Sequence, residues 1–156
     1  MLEGAIKPEK LGKVCAEMNF PAVGITDTAN LFGVAKCSEY LFKANIQPLI
    51  GCIVHVDFGR QKLSDLTLLV QNNEGYKNLM KIVSYAYMQD SDEFGNMRVK
   101  LENLEKYNEG LIALSGGVSG EIGQLLLVND KVGASNVATK LNEIFSGRFY
   151  LELARH

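Results

Sequence analysis

The segment PAVGITDTANLFG, residues 21–33, places a carboxylate directly after an apolar run. Pro21–Thr26 predicts a strand that stops on Asp27, after which the sequence turns into a helix. In barrels that alternate strands with helices, a carboxylate at the end of a strand lies on the face where chemistry happens. Asp27 is therefore the first candidate for a chemical role. The alternative is that Asp27 or Asn30 caps the helix that follows.

Three glycines follow another short apolar stretch and suggest a second site. Gly116, Gly117 and Gly120 come after the residues LIAL, and backbone N–H groups in such a turn can cradle a phosphate. They do not form the GxxxxGK[ST] pattern of a phosphate-binding loop, and no lysine follows them. We therefore expect a tight turn from a strand into a helix, for which glycine supplies the backbone freedom.

Aromatic and imidazole side chains are the remaining candidates. Tyr76, Tyr85 and Tyr87 could form a platform for stacking the bases of a single strand. Because they fall on a predicted helix with no basic neighbours in register, we expect them to pack in the core or at an interface. His55 lies on an apolar strand, where we expect a half-buried histidine with its hydrogen bonds satisfied.

Apolar periodicity divides the chain into alternating strands and helices. Strands are predicted at Pro21–Thr26, Pro48–Val56, Leu66–Val70, Gly110–Ser115 and Phe149–Leu153. Helices are predicted at Lys7–Asn19, around Val34–Ala44, from Asn73 to Tyr87, and at Leu101–Tyr107, Glu121–Val128 and Lys131–Phe145. The polar segment Gln89–Arg98 is expected to be an exposed loop. Alternation of strands with helices predicts an α/β fold with mostly parallel strands, in which a continuous apolar strand such as Leu66–Val70 is buried on both faces.

Composition and charge exclude several classes of protein. The 156 residues are 47% hydrophobic and 22% charged, with a net charge of −2. The 16 basic residues are dispersed, so we expect no cationic face for independent binding to duplex DNA. No apolar run approaches the roughly 20 residues that cross a bilayer, and we expect a cytoplasmic protein without membrane contact. Cys15, Cys37 and Cys52 are expected to be reduced thiols.

The predicted sheet looks incomplete at both ends. Five strands are too few for a closed parallel barrel, and the helix Lys7–Asn19 has no strand before it. We therefore expect residues 1–156 to be one partial domain that lacks its first strand and its C-terminal part. Such a sheet would expose apolar surface or recruit a partner.

Six segments along the chain carry a resemblance to a known family. They are MLEGAIKPEKL, PAVGITDTANLFG, IQPLIGC, DLTLLVQNNEGYKNLMKIVSYAY, GLIALSGGVSGEIGQLLL and FYLELARH. In this order and spacing the chain resembles the PHP (polymerase and histidinol phosphatase) domain of bacterial replicative DNA polymerase III alpha subunits. The resemblance implies a distorted (β/α)7 TIM-like barrel, of which this chain would form an incomplete part.

The resemblance also implies the function of a parent protein. Such an alpha subunit is a DNA-directed DNA polymerase, a nucleotidyltransferase of DNA replication that uses magnesium in its palm region. The aspartates that hold this magnesium lie downstream of His156 in the family. This chain is therefore expected to be inactive by itself, with no cofactor of its own and with DNA contact only through the parent.

Some PHP domains hold a cluster of divalent metals that hydrolyses phosphoesters, with histidine and carboxylate ligands around the ions. By resemblance, Asp27, Asp65 and His156 are the positions of this pocket that retain a candidate ligand.

Three further positions of the family's pocket have lost their ligand. Thr28 and Gly117 stand where metal-binding members often have histidine and cysteine, and Ile53 replaces an acidic residue. Without those anions the charge of a metal cluster would be poorly compensated. We therefore predict a vestigial pocket that holds no tightly bound catalytic metal.

Two functions are compatible with the resemblance. In the first, the domain is a structural scaffold that packs against the rest of the polymerase alpha chain and docks the separate proofreading exonuclease subunit. In the second, it is a metal-dependent phosphoesterase or a built-in 3'–5' proofreading exonuclease. Thr28, Ile53 and Gly117 favour the first.

Overall fold

The computed structural model describes residues 6–88 and 97–153. Within them the helices are α1 (Pro8–Glu17), α2 (Val34–Lys43), α3 (Asn73–Met88), α4 (Leu101–Tyr107), α5 (Glu121–Leu127) and α6 (Lys131–Ile144). The strands are β1 (Ala22–Thr28), β2 (Gln47–Asp57), β3 (Ser64–Val70), β4 (Val99–Lys100), β5 (Leu111–Leu114) and β6 (Phe149–Tyr150). The α/β class predicted from the sequence is confirmed.

The ends of two strands differ from the prediction. β1 continues through Asp27 to Thr28 instead of stopping on the aspartate, because both residues remain in register with β2, opposite Cys52 and Ile53. β6 is limited to Phe149–Tyr150, since only these residues pair with β5, and the rest of the predicted strand is irregular.

The sheet is mixed and open, with strands in the order β1–β2–β3–β5–β6 and β4 beside the end of β2. β3 runs antiparallel to both of its neighbours, whereas the other strand pairs are parallel. Residues 58–63 alone join β2 to β3, which is too short for the crossover that a parallel connection requires. The prediction of mostly parallel strands therefore missed a hairpin, and the structure does not show a closed barrel.

All the helices that pack on the sheet cover the same face. The larger core joins strands β2, β3, β4 and β5 to α3–α6, through residues such as Val54, Leu68, Leu79 and Phe145. A second cluster packs α1 and α2 on β1 through Cys15, Ile25, Val34, Leu41 and Ile46. Alternation along each strand decides which residues enter these clusters.

The opposite face of the sheet is only half-covered in the described part of the chain. Its strand residues, alternating with those of the core, include Ile53, Thr67, Leu69, Ile112 and Leu114. Each of them is intermediate in exposure. The prediction that Leu66–Val70 is buried on both faces is therefore wrong, because β3 buries Leu66 and Leu68 but not their neighbours.

The predicted exposed loop Gln89–Arg98 falls mostly outside the described residues. Its end is not exposed, because Met97 is buried in the larger core and Arg98 forms an ion pair with Asp57 at the end of β2. The Arg98 guanidinium holds the pKa of the Asp57 carboxyl below its usual range. These contacts fix β4 beside β2.

A buried carboxylate links the β2–β3 hairpin to α5. Glu121 is 3% exposed, and its Oε2 accepts a hydrogen bond of 2.5 Å from the Ser64 hydroxyl. Its Oε1 lies 3.1 Å from Nη1 of Arg60 in the hairpin loop. Because a buried carboxylate requires such partners, this contact fixes the hairpin against the helix layer.

We expect Glu121→Ala to lower the free energy of unfolding by about 1–3 kcal/mol, because the Ser64 hydroxyl loses its acceptor while buried. Glu102→Ala is the matched control, since Glu102 also lies in the first turn of a helix but is exposed. The control should change stability by about 0.5 kcal/mol or less. Urea unfolding of both variants measures the difference, and equal losses would contradict a specific role for Glu121.

Candidate functional site

A pocket of about 490 Å³ lies on the half-covered face of the sheet, where β2, β3 and the turn after β5 meet. It is lined by Ile53, Asp65, Thr67, Gly116, Gly117, Ser119, Glu152 and Leu153. Three of the residues predicted from the sequence, Ile53, Asp65 and Gly117, are thus brought together. Ile53 places an apolar side chain among the polar ones.

The carboxylate of Asp65 is already paired inside the protein. Its Oδ1 lies 2.8 Å from Nδ1 of His55, and the side chains are 32% and 33% exposed. The pair forms because the β2–β3 register places these residues directly opposite each other. The prediction of a half-buried, hydrogen-bonded His55 is confirmed, but the sequence analysis did not connect it with Asp65.

The glycine turn also forms its hydrogen bonds with other residues of this chain. Gly116 and Gly117 have φ angles of +76° and +55°, which glycine adopts readily, and Gly120 is the N-cap of α5. The backbone N–H of Gly116 donates a 2.6 Å hydrogen bond to Oε2 of Glu152. The prediction of a strand-to-helix turn is confirmed, and an internal carboxylate takes the N–H that an anion would use.

Glu152 is the pocket residue that sequence reasoning missed. It lies in the predicted strand Phe149–Leu153, where no chemical role was considered. The backbone N–H of Glu152 also donates to the Ser115 hydroxyl at 2.9 Å, so this segment is attached to the turn at two points. The sequence showed only an acidic residue near the end of a predicted strand, and the pairing of β6 with β5 is what brings it to the glycine turn.

Asp27 does not line this pocket. It is in register with Cys52, a core residue of the helix-covered face, and its Oδ2 accepts a 2.8 Å hydrogen bond from the backbone N–H of Gly33. Gly33 is the N-cap of α2 and no side chain caps the helix directly, so neither Asp27 nor Asn30 is the N-cap. Through this hydrogen bond Asp27 instead stabilises the loop that leads into α2.

The Cys52 thiol is fully buried from water on the helix-covered face of the sheet. Burial raises the pKa of Cys52 to about 11. Like Cys15 and Cys37, it is a free cysteine. A thiol that holds its proton in this way is a poor nucleophile and a poor metal ligand near neutral pH.

The other two predicted positions are less informative. Thr28 is the register partner of Ile53, so it lies on the face of the pocket, although it is not among the lining residues. His156 lies outside the described residues.

The potential metal ligands in the described part of the chain are not arranged as a cluster. Residues 6–88 and 97–153 contain no group of three or more His, Cys, Asp and Glu side chains arranged to hold a metal. The pocket offers the carboxylates of Asp65 and Glu152, and each already has a hydrogen-bond partner. The usual requirement of several convergent anionic or imidazole ligands is not met by this set.

The tyrosines have basic neighbours, contrary to the prediction. Tyr85 stacks on Tyr107 with ring centroids 5.6 Å apart, and the ammonium groups of Lys81 and Lys106 lie 5.3 Å and 5.2 Å from the Tyr107 centroid. Lys106 and Tyr107 come from α4, which packs on α3, but Lys81 lies on α3 itself, four residues before Tyr85, and was a basic neighbour in register that the sequence already contained. Tyr87 donates a 2.8 Å hydrogen bond to the carbonyl oxygen of Ala29.

Comparison with known proteins decides the family. The profile of the PHP domain matches residues 1–156, which is the whole chain. The chain belongs to the PHP domain family. No helix in the described ranges is long and apolar enough to span a membrane.

Curated proteins that are similar in sequence to this PHP domain are named DNA polymerase III subunit alpha. The one from Caulobacter vibrioides (strain NA1000 / CB15N) is 40% identical over 163 residues, which cover 100% of this chain and 14% of that protein. The one from Buchnera aphidicola subsp. Acyrthosiphon pisum is 38% identical and that from Borreliella burgdorferi 34% identical, again over 14% of each protein. The chain thus spans about 14% of the length of these relatives.

We expect Asp27→Ala to lower the free energy of unfolding by about 1 kcal/mol, because the Gly33 N–H loses its acceptor. Asp27→Asn is the control, since its amide oxygen can still accept that hydrogen bond. Thermal or urea unfolding measures both variants. A normal stability for Asp27→Ala, combined with weaker binding of Mn²⁺, would show that Asp27 is a metal ligand instead.

Proposed function

We propose that this PHP domain is a structural scaffold within the alpha subunit of a replicative DNA polymerase III and a docking site for the proofreading exonuclease subunit. Its metal pocket is eroded and takes no part in hydrolysis. DNA synthesis belongs to the rest of the alpha chain, which binds the DNA and holds magnesium in its palm region. The names of the relatives support the polymerase assignment, and we expect the protein in the cytoplasm.

The composition of the pocket carries the proposal that the metal site is eroded. Ile53 occupies the position of a lost carboxylate, and Gly117 has no side chain to offer. The carboxylates of Asp65 and Glu152 are committed to His55 and to the Gly116 N–H. Each carboxylate keeps a second oxygen, but within residues 6–88 and 97–153 no third His, Cys, Asp or Glu side chain joins them in a group that could hold a metal.

The half-covered sheet face supports the role as a scaffold. Ile53, Leu69, Ile112 and Leu114 lie on it in alternation with the core. The domain spans only 14% of the length of its relative from Caulobacter vibrioides. A surface of this kind therefore fits packing against other segments of the same alpha chain. The residues 1–156 would then form part of a barrel that those segments complete.

The alternative is a metal-dependent phosphoesterase or a built-in 3'–5' proofreading exonuclease. One observation favours it: the carboxylates of Asp65 and Glu152 line the same pocket. With His156 beyond the described residues, these groups are the ligands that such an activity would use.

Metal analysis separates the two functions. We expect an intact alpha subunit that carries this chain, dialysed against Mn²⁺ or Zn²⁺, to retain no stoichiometric metal in its PHP domain. The same result is expected for the double variant Asp65→Ala/Glu152→Ala, which serves as the control for metal bound elsewhere. Elemental analysis measures metal per chain.

Metal bound at the pocket would give a different elemental analysis for the parent protein and for the double variant. A difference of one or more ions between the parent protein and the double variant, accompanied by cleavage of a phosphodiester substrate that the variant loses, would establish the enzymatic alternative. Metal that both proteins retain equally would be assigned to the palm region.

Docking of the exonuclease is tested by hydrogen exchange on the intact alpha subunit with and without the purified exonuclease. We expect slower exchange in at least one peptide within residues 1–156, because a stable interface buries backbone amides. Peptides outside this range provide the internal control. Protection confined to those outside peptides would contradict the docking role while leaving the metal result unaffected.

A further inference from the structure

A surface groove runs along α3 on the side away from the sheet. Two adjoining depressions, of about 470 and 600 Å³, share Met80, Ser84 and Met88 as lining residues. The spacing of these residues follows the turns of the helix, so they form one continuous row. Ser84 is the smallest of the three and lies in the middle. We name this surface the α3 groove.

One side of the α3 groove is apolar and unusually exposed. Phe32 and Met88 are each 82% exposed, and Tyr87 and Met80 are 44% and 40% exposed. Large apolar side chains clustered on a surface in this way mark sites of interaction with other molecules. Methionine adapts its shape to different partners because its side chain is unbranched and polarizable.

This apolar side is held in place before any partner binds. Ala29 has a φ of +61°, a left-handed conformation that residues other than glycine rarely adopt. The Tyr87 hydroxyl fixes it with a 2.8 Å hydrogen bond to the Ala29 carbonyl oxygen, and the Ala29 N–H donates to the Ile53 carbonyl oxygen at 2.8 Å. The loop that carries Phe32 is thus pre-organised, which reduces the entropic cost of binding.

The other side of the α3 groove is basic. Lys77 and Lys81 line it together with Tyr85, and no acidic residue is among the described lining residues of either depression. Lys77 forms an exposed pair with Glu74 at 3.6 Å, and Lys81 donates to the Asn78 side chain at 3.3 Å. Exposed pairs of this kind contribute about 0–1 kcal/mol and exchange readily for a carboxylate of a partner.

We infer that the α3 groove docks a segment of a protein partner that presents apolar side chains to Met80, Met88 and Phe32 and carboxylates to Lys77 and Lys81. The charge of the basic side selects the acidic character of the segment. The apolar side selects side chains repeating every three or four residues, as on an amphipathic helix. This inference does not rest on the identity of any partner in the proposed function.

The observations do not favour a nucleic acid as the occupant. Binding to a single strand requires several cations along the backbone and free aromatic faces for the bases. One face of Tyr85 is already stacked on Tyr107, and the side with Phe32 and Met88 carries no cation among its described lining residues. The whole chain has a net charge of −2.

The test is selection of a phage-displayed library of random 16-residue peptides on the intact polypeptide, followed by fluorescence anisotropy with synthetic copies of the selected peptides. We expect peptides that combine spaced apolar residues with an excess of Asp and Glu. Ser84→Arg, which places a large side chain where the two depressions adjoin, should weaken their binding about tenfold or more. Lys81→Glu should weaken it about three- to tenfold, with an effect that shrinks as salt is added.

Two variants provide matched controls. Ser135→Arg adds the same side chain at an exposed position of α6, and Lys13→Glu makes the same charge change on α1. Both should bind the selected peptides as the parent does. Circular dichroism of all four variants checks that the fold is retained.

Four results would overturn the inference. They are selection of no peptide that Ser84→Arg affects, selection of basic peptides, binding of a labelled oligo(dT) strand that Ser84→Arg abolishes, and a dimer in light scattering that Ser84→Arg dissociates. The last two would assign the groove to a nucleic acid or to a second copy of the chain.

Discussion

The register of β2 between β1 and β3 is the constraint on which the structure depends. Along this strand Cys52, Val54 and Val56 enter the helix-covered core, while Ile53 and His55 lie on the opposite face. A shift of one residue would exchange the two sets and place a histidine in the core. The same register brings Asp65 opposite His55 and places Asp27 beside Cys52.

Once this register is set, the chemistry of the pocket follows. The groups on its face satisfy one another: the carboxylate of Asp65 pairs with an imidazole, and that of Glu152 accepts the N–H of Gly116. Such contacts stabilise the hairpin and the glycine turn. The pocket therefore resembles a structural junction between strands.

Much of the fold was predictable, because helix and strand periodicity is local. The bounds of α4 were predicted as they occur, and the five predicted strands were found near their expected places as β1, β2, β3, β5 and β6, whereas the two-residue strand β4 was not predicted. The direction of β3 was not, since the alternation of strands and helices elsewhere suggested parallel pairing. The connection between β2 and β3, residues 58–63 with Gly59 at a φ of +80°, is too short for a parallel crossover. Its length therefore predicts a hairpin and an antiparallel β3.

The site was less predictable, because it depends on which face a residue occupies. Asp27 and Thr28 are adjacent in sequence, yet alternation along β1 sends them to opposite faces. Glu152 could not be found without knowing that β6 pairs with β5 beside the glycine turn. Of the basic neighbours of the tyrosines, Lys106 comes from the packing of α4 on α3, which involves residues far apart in the chain, whereas Lys81 precedes Tyr85 by one helical turn and was visible in the sequence.

The central claim is that the pocket around Ile53 is stabilised from within and does not hold a metal. The most direct measurement is anomalous diffraction from crystals of an intact alpha subunit that carries this chain, grown with Mn²⁺. The account predicts an anomalous peak in the palm region and none beside Asp65 or Glu152. A fully occupied peak bonded to either carboxylate would contradict the account.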